Sequence, residues 1–363
     1  VFMKKALTLS FLVSVLLISC SDKNELIVSA SNAAIEYYGR TNRPSEESVR
    51  LNWPGSSIRI NFEGASIAAL LQDESGDNYY NVILDNDSLF ILRPQTIKQY
   101  QVLASNLSKG PHTIEIFRRT EWNKGSTNFY GFKINANAKL LAKSPPKKRK
   151  IEFYGDSITA GFAVEDTSGK DLYDSIYTNN YASYAAITAR HFEADYQCVC
   201  KSGIGITVSW DPLIMPELYD RLIPTDSNSK WDFSLYRPDV VVVNLFQNDS
   251  WLVNLPEHPE FIKRFGDKNP DEAFIISAYQ EFIAGLRVHY PAANIICTLG
   301  SMDATKDGSL WPGYVQKAVA SLKDENVYTH FMPYEESTAH PNVQQQKNMA
   351  NSLIDFIEKT IEW

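Results

Sequence analysis

A chain of 363 residues is long for one hydrophobic core, so two folded units are expected behind any targeting segment. Its formal charge of -8 and pI near 5.4 exclude nucleic acid as a partner, because binding phosphates takes a clustered excess of Lys and Arg. Apart from Cys20 the cysteines are Cys198, Cys200 and Cys297, an odd set that cannot complete a disulfide framework and has no His or Cys neighbours at zinc spacing, so buried thiols are expected and neither metal nor cofactor.

From Met3, the positive pair Lys4 and Lys5 leads into an apolar run, Leu7 to Ile18, that is too short to span a bilayer. It ends in Leu17-Ile18-Ser19-Cys20, which resembles a bacterial lipobox whose cleavage leaves Cys20 as a lipid-carrying N-terminus. Residues 1–20 are thus expected to be a lipoprotein signal peptide, with Ser21 to Asn24 as a polar tether. The chain would then be exported and held on a membrane, periplasmic or at the cell surface, by the lipid on Cys20.

Residues 27–143 read as short strands separated by turn residues. Ile58, Ile60 and Phe62 alternate with Arg59 and Asn61, and Thr113 to Phe117 follows the turn Lys109-Gly110-Pro111. Repeated strands with few helical stretches predict a β-sandwich, with a jelly roll as the preferred topology. After Pro145-Pro146, the basic run Lys147 to Lys150 reads as a solvated inter-domain hinge rather than a nuclear address, given the export signal. Residues 149–363 then alternate apolar strands with amphipathic helices, the pattern of a three-layer α/β/α domain around a parallel sheet. Strands are expected near Lys150 to Tyr154, Tyr196 to Cys200, Asp239 to Leu245, Asn294 to Leu299 and Val327 to Phe331. Helices are expected near Tyr181 to Phe192, Asp271 to His289, Trp311 to Leu322 and Val343 to Ile361.

Gly155-Asp156-Ser157 places a small hydroxyl where the first of these strands stops, and sites in open α/β sheets lie at the carboxyl ends of strands. Lys201-Ser202-Gly203, Gln247-Asn248-Asp249 and His340-Pro341-Asn342 follow in order. Acyl transfer needs a nucleophile, a base, and donors aimed at the oxygen that becomes negative. Ser157 is the expected nucleophile and His340 the base, chosen over His112, His191, His258, His289 and His330 for its place ahead of the final helix, which Pro341 is suited to open. The oxyanion donors would be the backbone N–H groups of Ser157 and Gly203 and the side-chain amide of Asn248, although Gly205 lies only two residues from Gly203. Of the seven tryptophans, Trp251 is the first choice for a sugar-stacking wall, with Trp210 and Trp311 behind it. The residue pattern alone reaches serine-dependent acyl transfer and no further.

These blocks resemble the SGNH (GDSL-type) hydrolases, and among them carbohydrate esterase family 2. Tyr38-Gly39-Arg40, Trp53-Pro54-Gly55-Ser56, His112-Thr113-Ile114-Glu115, Arg118-Arg119-Thr120-Glu121 and Tyr130-Gly131-Phe132 also look like that family's first domain. The resemblance implies a serine esterase that removes O-acetyl groups from plant cell-wall polysaccharide or oligosaccharide through an acetyl-serine intermediate, and a monomer is expected. Two departures stand out. Phe246 replaces the glycine usual before Asn-Asp and is expected to narrow or reshape the pocket wall. Ser337 stands where an aspartate commonly precedes the histidine by three residues, so a Ser157–His340 dyad held by a backbone carbonyl is expected, with Glu335 or Glu336 as substitutes. Two alternatives stay open: a catalytically weak polysaccharide-binding surface lipoprotein, and an SGNH esterase for non-sugar esters.

Overall fold

The computed structural model describes residues 25–363, so Cys20 and the expected signal segment lie outside the described residues. The N-terminal part is a sandwich of two antiparallel sheets. One runs in the order Thr41–Ser45, Ser48–Leu51, Thr127–Ile134, Ser66–Asp73, Gln99–Ser105, with Leu26–Ser29 also on Thr127–Ile134. The other runs Lys139–Leu140, Ser57–Glu63, Pro111–Arg118, Tyr80–Leu84, Ser88–Leu92, with Ile35–Tyr38 on Ser57–Glu63. The chain repeatedly crosses from one sheet to the other, as a jelly roll requires. The two-residue alternation read in the sequence explains the core: Ile58, Ile60 and Phe62 are fully buried against Ile114, Ile116, Phe129 and Phe132, while Arg59 and Asn61 point outward.

The second part holds a parallel sheet ordered Asp195–Cys200, Lys150–Gly155, Val240–Asn244, Asn294–Leu299, Val327–Phe331. Its strands are covered on both faces, so their side chains divide between two cores. Val241 and Val243 pack with the helix Glu272–His289, whereas Val240 and Val242 pack with the helices Tyr184–His191 and Val343–Thr360. Cys198, Cys200 and Cys297 are buried free thiols. The first of these helices begins later than its apolar pattern predicts, because Asn180–Ala182 forms a 3-10 turn and Ser183 then caps the helix through the Ala186 N–H. The final helix opens at Val343 as expected, with Asn342 as its cap and Gln345 returning a bond to the Asn342 N–H, so Pro341 stands ahead of the cap rather than in the first turn.

The linker is exposed as expected, but the contacts around it correct the idea of a free hinge. Trp53 of the sandwich belongs to one core of the α/β domain, and Ile83 and Phe117 to the other. Arg40, left only 1% exposed, pairs with fully buried Glu152 at 3.0 Å, bonds the Tyr154 hydroxyl at 3.0 Å and reaches the carbonyls of Tyr219 and Arg221. Removing one partner of such a pair strands a buried charge. Arg40→Ala should therefore lower unfolding free energy by about 3–5 kcal/mol. Urea denaturation checks this, and a loss below about 1 kcal/mol would mean that water already compensates the pair.

Candidate active site

Gly155 ends the first parallel strand, and its role is space rather than unusual dihedrals: a Cβ there would meet Thr159 Oγ1 at 2.0 Å. The chain turns directly into the short helix Ser157–Ala160, with Asp156 as its cap accepting the Ile158 N–H at 3.0 Å. Asp156 is fully enclosed, and burial pushes its carboxyl up to about 7 against the opposing pull of the Ile158 N–H and of His340. Ser157 sits at the helix start, and its Oγ lies 2.8 Å from His340 Nε2.

The other ring nitrogen departs from expectation. His340 Nδ1 lies 2.8 Å from Asp171 Oδ2, and the His340 backbone N–H donates to Asp171 Oδ1 at 2.9 Å. The orienting group is thus neither a backbone carbonyl nor Glu335 or Glu336, and Glu335 instead accepts from Asn348 at 3.1 Å. Ser337 closes its own turn, donating to the Ala339 carbonyl and accepting the Ala339 N–H. Asp171 comes from the loop that follows the nucleophile helix, where it adopts a left-handed backbone at φ 54, a conformation that aspartate reaches more readily than most residues. Asp166 braces that loop by accepting the N–H groups of Ser168 and Leu172, the latter bond chiefly holding its carboxyl down at about 2. Burial alone would raise the Asp171 carboxyl, but the hydrogen bonds and charge of His340 outweigh it and leave Asp171 below the ordinary aspartate value. Phe162 packs edge-on against the His340 ring at 4.9 Å.

On the opposite side, Gly203 is left-handed at φ +78, and a Cβ there would press on Trp210 at 3.2 Å. The neighbouring Gly205 has its N–H committed to Ser209 Oγ at 2.9 Å. Asn248 Nδ2 donates to the Ile204 carbonyl at 2.9 Å and to Asp156 Oδ2 at 3.2 Å, while its Oδ1 accepts from Trp210 Nε1 at 3.1 Å. The amide expected to face an oxyanion is therefore bonded within the protein here. Asp249 holds the same loop, accepting from the backbone of Ile206, Thr207 and Val208 and from the Thr207 hydroxyl. Burial raises its carboxyl despite those bonds.

Phe246 does not form the pocket wall anticipated for it. It takes the glycine-like backbone at φ 95, of order 1–3 kcal/mol of strain for a non-glycine residue, and sends its ring into the core between Tyr279 and Trp311. Trp311 is correspondingly a core residue. Trp251 donates to Asp303 at 3.0 Å and lines a shallow cavity with Asn269, Lys306 and Tyr314 that includes neither Ser157 nor His340. Trp210 is tied to the site: the residue is 44% exposed while its indole N–H holds Asn248.

The family described as carbohydrate esterase 2 N-terminal matches residues 37–146. Over 345 residues the chain is 32% identical to the cellulase/esterase CelE of Acetivibrio thermocellus, covering 92% of this chain but only 40% of that protein. It is 27% identical over 364 residues to an acetylxylan esterase / glucomannan deacetylase of Cellvibrio japonicus, covering 96% of this chain and 97% of that one. A family two carbohydrate esterase from Clostridium thermocellum, solved in complex with cellohexaose, matches with a TM-score of 0.79 at 32% identity, over 90% of this chain and 98% of that one.

Proposed function

Because this chain belongs to carbohydrate esterase family 2, we propose that it is a serine esterase removing O-acetyl groups from plant cell-wall polysaccharide or oligosaccharide of the xylan or mannan type. The observation that carries this reading is the continuous relay from Ser157 Oγ through His340 to Asp171, both links at 2.8 Å. Asp171 fixes the tautomer that leaves Nε2 free to accept the serine proton. Ser157 Oγ attacks the acetyl carbonyl as its proton passes to His340. The oxyanion forms against the backbone N–H groups of Ser157 and Gly203, with Asn248 Nδ2 turning toward it from its longer contact to Asp156. Collapse breaks the bond to the sugar oxygen, which takes the proton from His340 and leaves as the free hydroxyl. Water, deprotonated by the same imidazole, then attacks the acetyl-serine and releases acetate.

The exposed face of Trp210 is the surface best placed to stack a sugar ring, and it replaces Trp251 in that role. The reading as a binding protein without turnover drew its support from a histidine lacking a carboxylate, and the Asp171 contact removes that ground. Acetate release across acetylated xylan, acetylated glucomannan and aryl esters of increasing acyl length tests the proposal. Preference for acetylated polysaccharide is expected, whereas equal rates on long acyl chains would reassign the chain to non-sugar esters.

We further propose that the protein acts as a monomer and is exported and anchored to a membrane through lipid on Cys20; the support for the anchor is the sequence from Lys4 to Cys20. Cys20→Ser should abolish incorporation of labelled fatty acid and move the protein out of the membrane fraction. Unchanged labelling would contradict the lipid site.

A further inference from the structure

The segment Arg118-Arg119-Thr120-Glu121 belongs to the sandwich, yet two of its side chains reach the loops on either side of Ser157. Arg119, 1% exposed, directs Nη2 to Glu165 and to the Ile176 carbonyl at 2.6 Å, and Nε to the Thr178 carbonyl at 3.3 Å. One guanidinium therefore ties the entry of the loop that carries Asp171 to its exit. Asn179 closes the same junction, donating to Glu165 at 2.6 Å and accepting from Asn81 of the sandwich at 3.0 Å. Glu121, 4% exposed, accepts the Ser202 N–H and hydroxyl, immediately before Gly203.

Short, buried, charge-assisted bonds of this kind fix geometry more firmly than surface contacts do. Within the sandwich Arg119 makes one longer side-chain bond, to Asn81 Oδ1 at 3.3 Å, and a packed apolar residue would avoid the desolvation of its charge. We propose that Arg119 and Glu121 are positioning residues for catalysis: the sandwich holds Asp171 against His340 with one arm and the Gly203 oxyanion loop with the other. The sandwich is then part of the catalytic apparatus. This inference rests on the reading of Ser157, His340 and Asp171 as the catalytic group.

The two arms act on different parts of the site, and that makes them separable. In the full chain, Arg119→Lys keeps the charge but cannot span Glu165 and both carbonyls. It should lower kcat for an aryl acetate by roughly tenfold to a hundredfold with KM little changed. Glu165→Gln, on a partly exposed side chain, should act in the same direction without endangering the fold. Combined with Asp171→Asn, either change should add almost nothing, since the contact they protect is already lost. Glu121→Gln should instead multiply fully with Asp171→Asn. The proton NMR signal of the His340 Nδ1–H, absent in Asp171→Asn, should weaken in Arg119→Lys and Glu165→Gln and persist in Glu121→Gln. That signal reads the arms even if the wild-type chain released no acetate, an outcome that would count against the proposed function instead. Folded Arg119→Lys and Glu165→Gln proteins with wild-type kcat and an unaltered signal would overturn the inference, as would effects that multiply fully with Asp171→Asn.

Discussion

Ser157→Ala is expected to lower kcat for acetate release by about a millionfold, the scale seen when a nucleophile that acts as one unit with its base is removed. The substitution deletes one hydroxyl at the start of a four-residue helix whose cap, Asp156, is untouched. Stability should consequently change by no more than about 1 kcal/mol, which separates loss of chemistry from loss of fold. His340→Ala should follow closely, and the double variant should be little worse than either single one, because both remove the same proton transfer. Steady-state acetate release alongside urea denaturation checks all three. A Ser157→Ala protein retaining a substantial part of the wild-type rate would exclude covalent catalysis at this residue.

Asp171→Asn should cost about a thousandfold to ten-thousandfold in kcat while leaving the loop in place. An asparagine can present its NH2 to Nδ1, which drives the ring proton to Nε2 and leaves the imidazole unable to accept from Ser157. Its carbonyl can still accept the His340 backbone N–H, so geometry should survive where chemistry fails. Glu335→Gln and Glu336→Gln should be nearly silent. The folded Asp171 carboxyl lies below its ordinary value, so its contribution to stability is full above that value and disappears as pH falls through the lower, folded one. Wild type and Asp171→Asn should accordingly differ in stability at neutral pH and converge in strong acid. A large rate loss in either glutamate variant, with Asp171→Asn active, would return the orienting role to the segment before His340.

The contrast between these residues shows what the chain reveals before it folds. The parallel strands were legible because burial on both faces leaves runs such as Val240 to Val243 with no polar interruption. Ser157 and His340 were legible for a local reason: each stands in a short turn motif at the end of an apolar strand or before a capped helix. Asp171 carries no such mark. It lies in a polar loop rich in turn residues, and only tertiary packing, with Asp166, Glu165 and Arg119 holding the loop, brings it to the imidazole. The sole local hint is the aspartate-rich stretch itself, which reads equally well as solvated surface. Phe246 misleads for a related reason: its position names a backbone conformation, φ 95, but nothing local says that its ring will turn into the core. Trp251 lies one helical turn from Asn248, and that spacing misleads as well: its indole is drawn away to Asp303, and Trp210 from a distant loop makes the contact with Asn248.

Trapping the intermediate tests the account most directly. Acid quench of the full chain during turnover of an activated acetyl ester, followed by peptide mass analysis, should find a single acetyl group on the peptide carrying Ser157, formed at the rate of the initial alcohol burst and absent from Ser157→Ala. Turnover with no acetylated peptide in any quench, or an acetyl group on another residue that forms and decays at the catalytic rate, would contradict it.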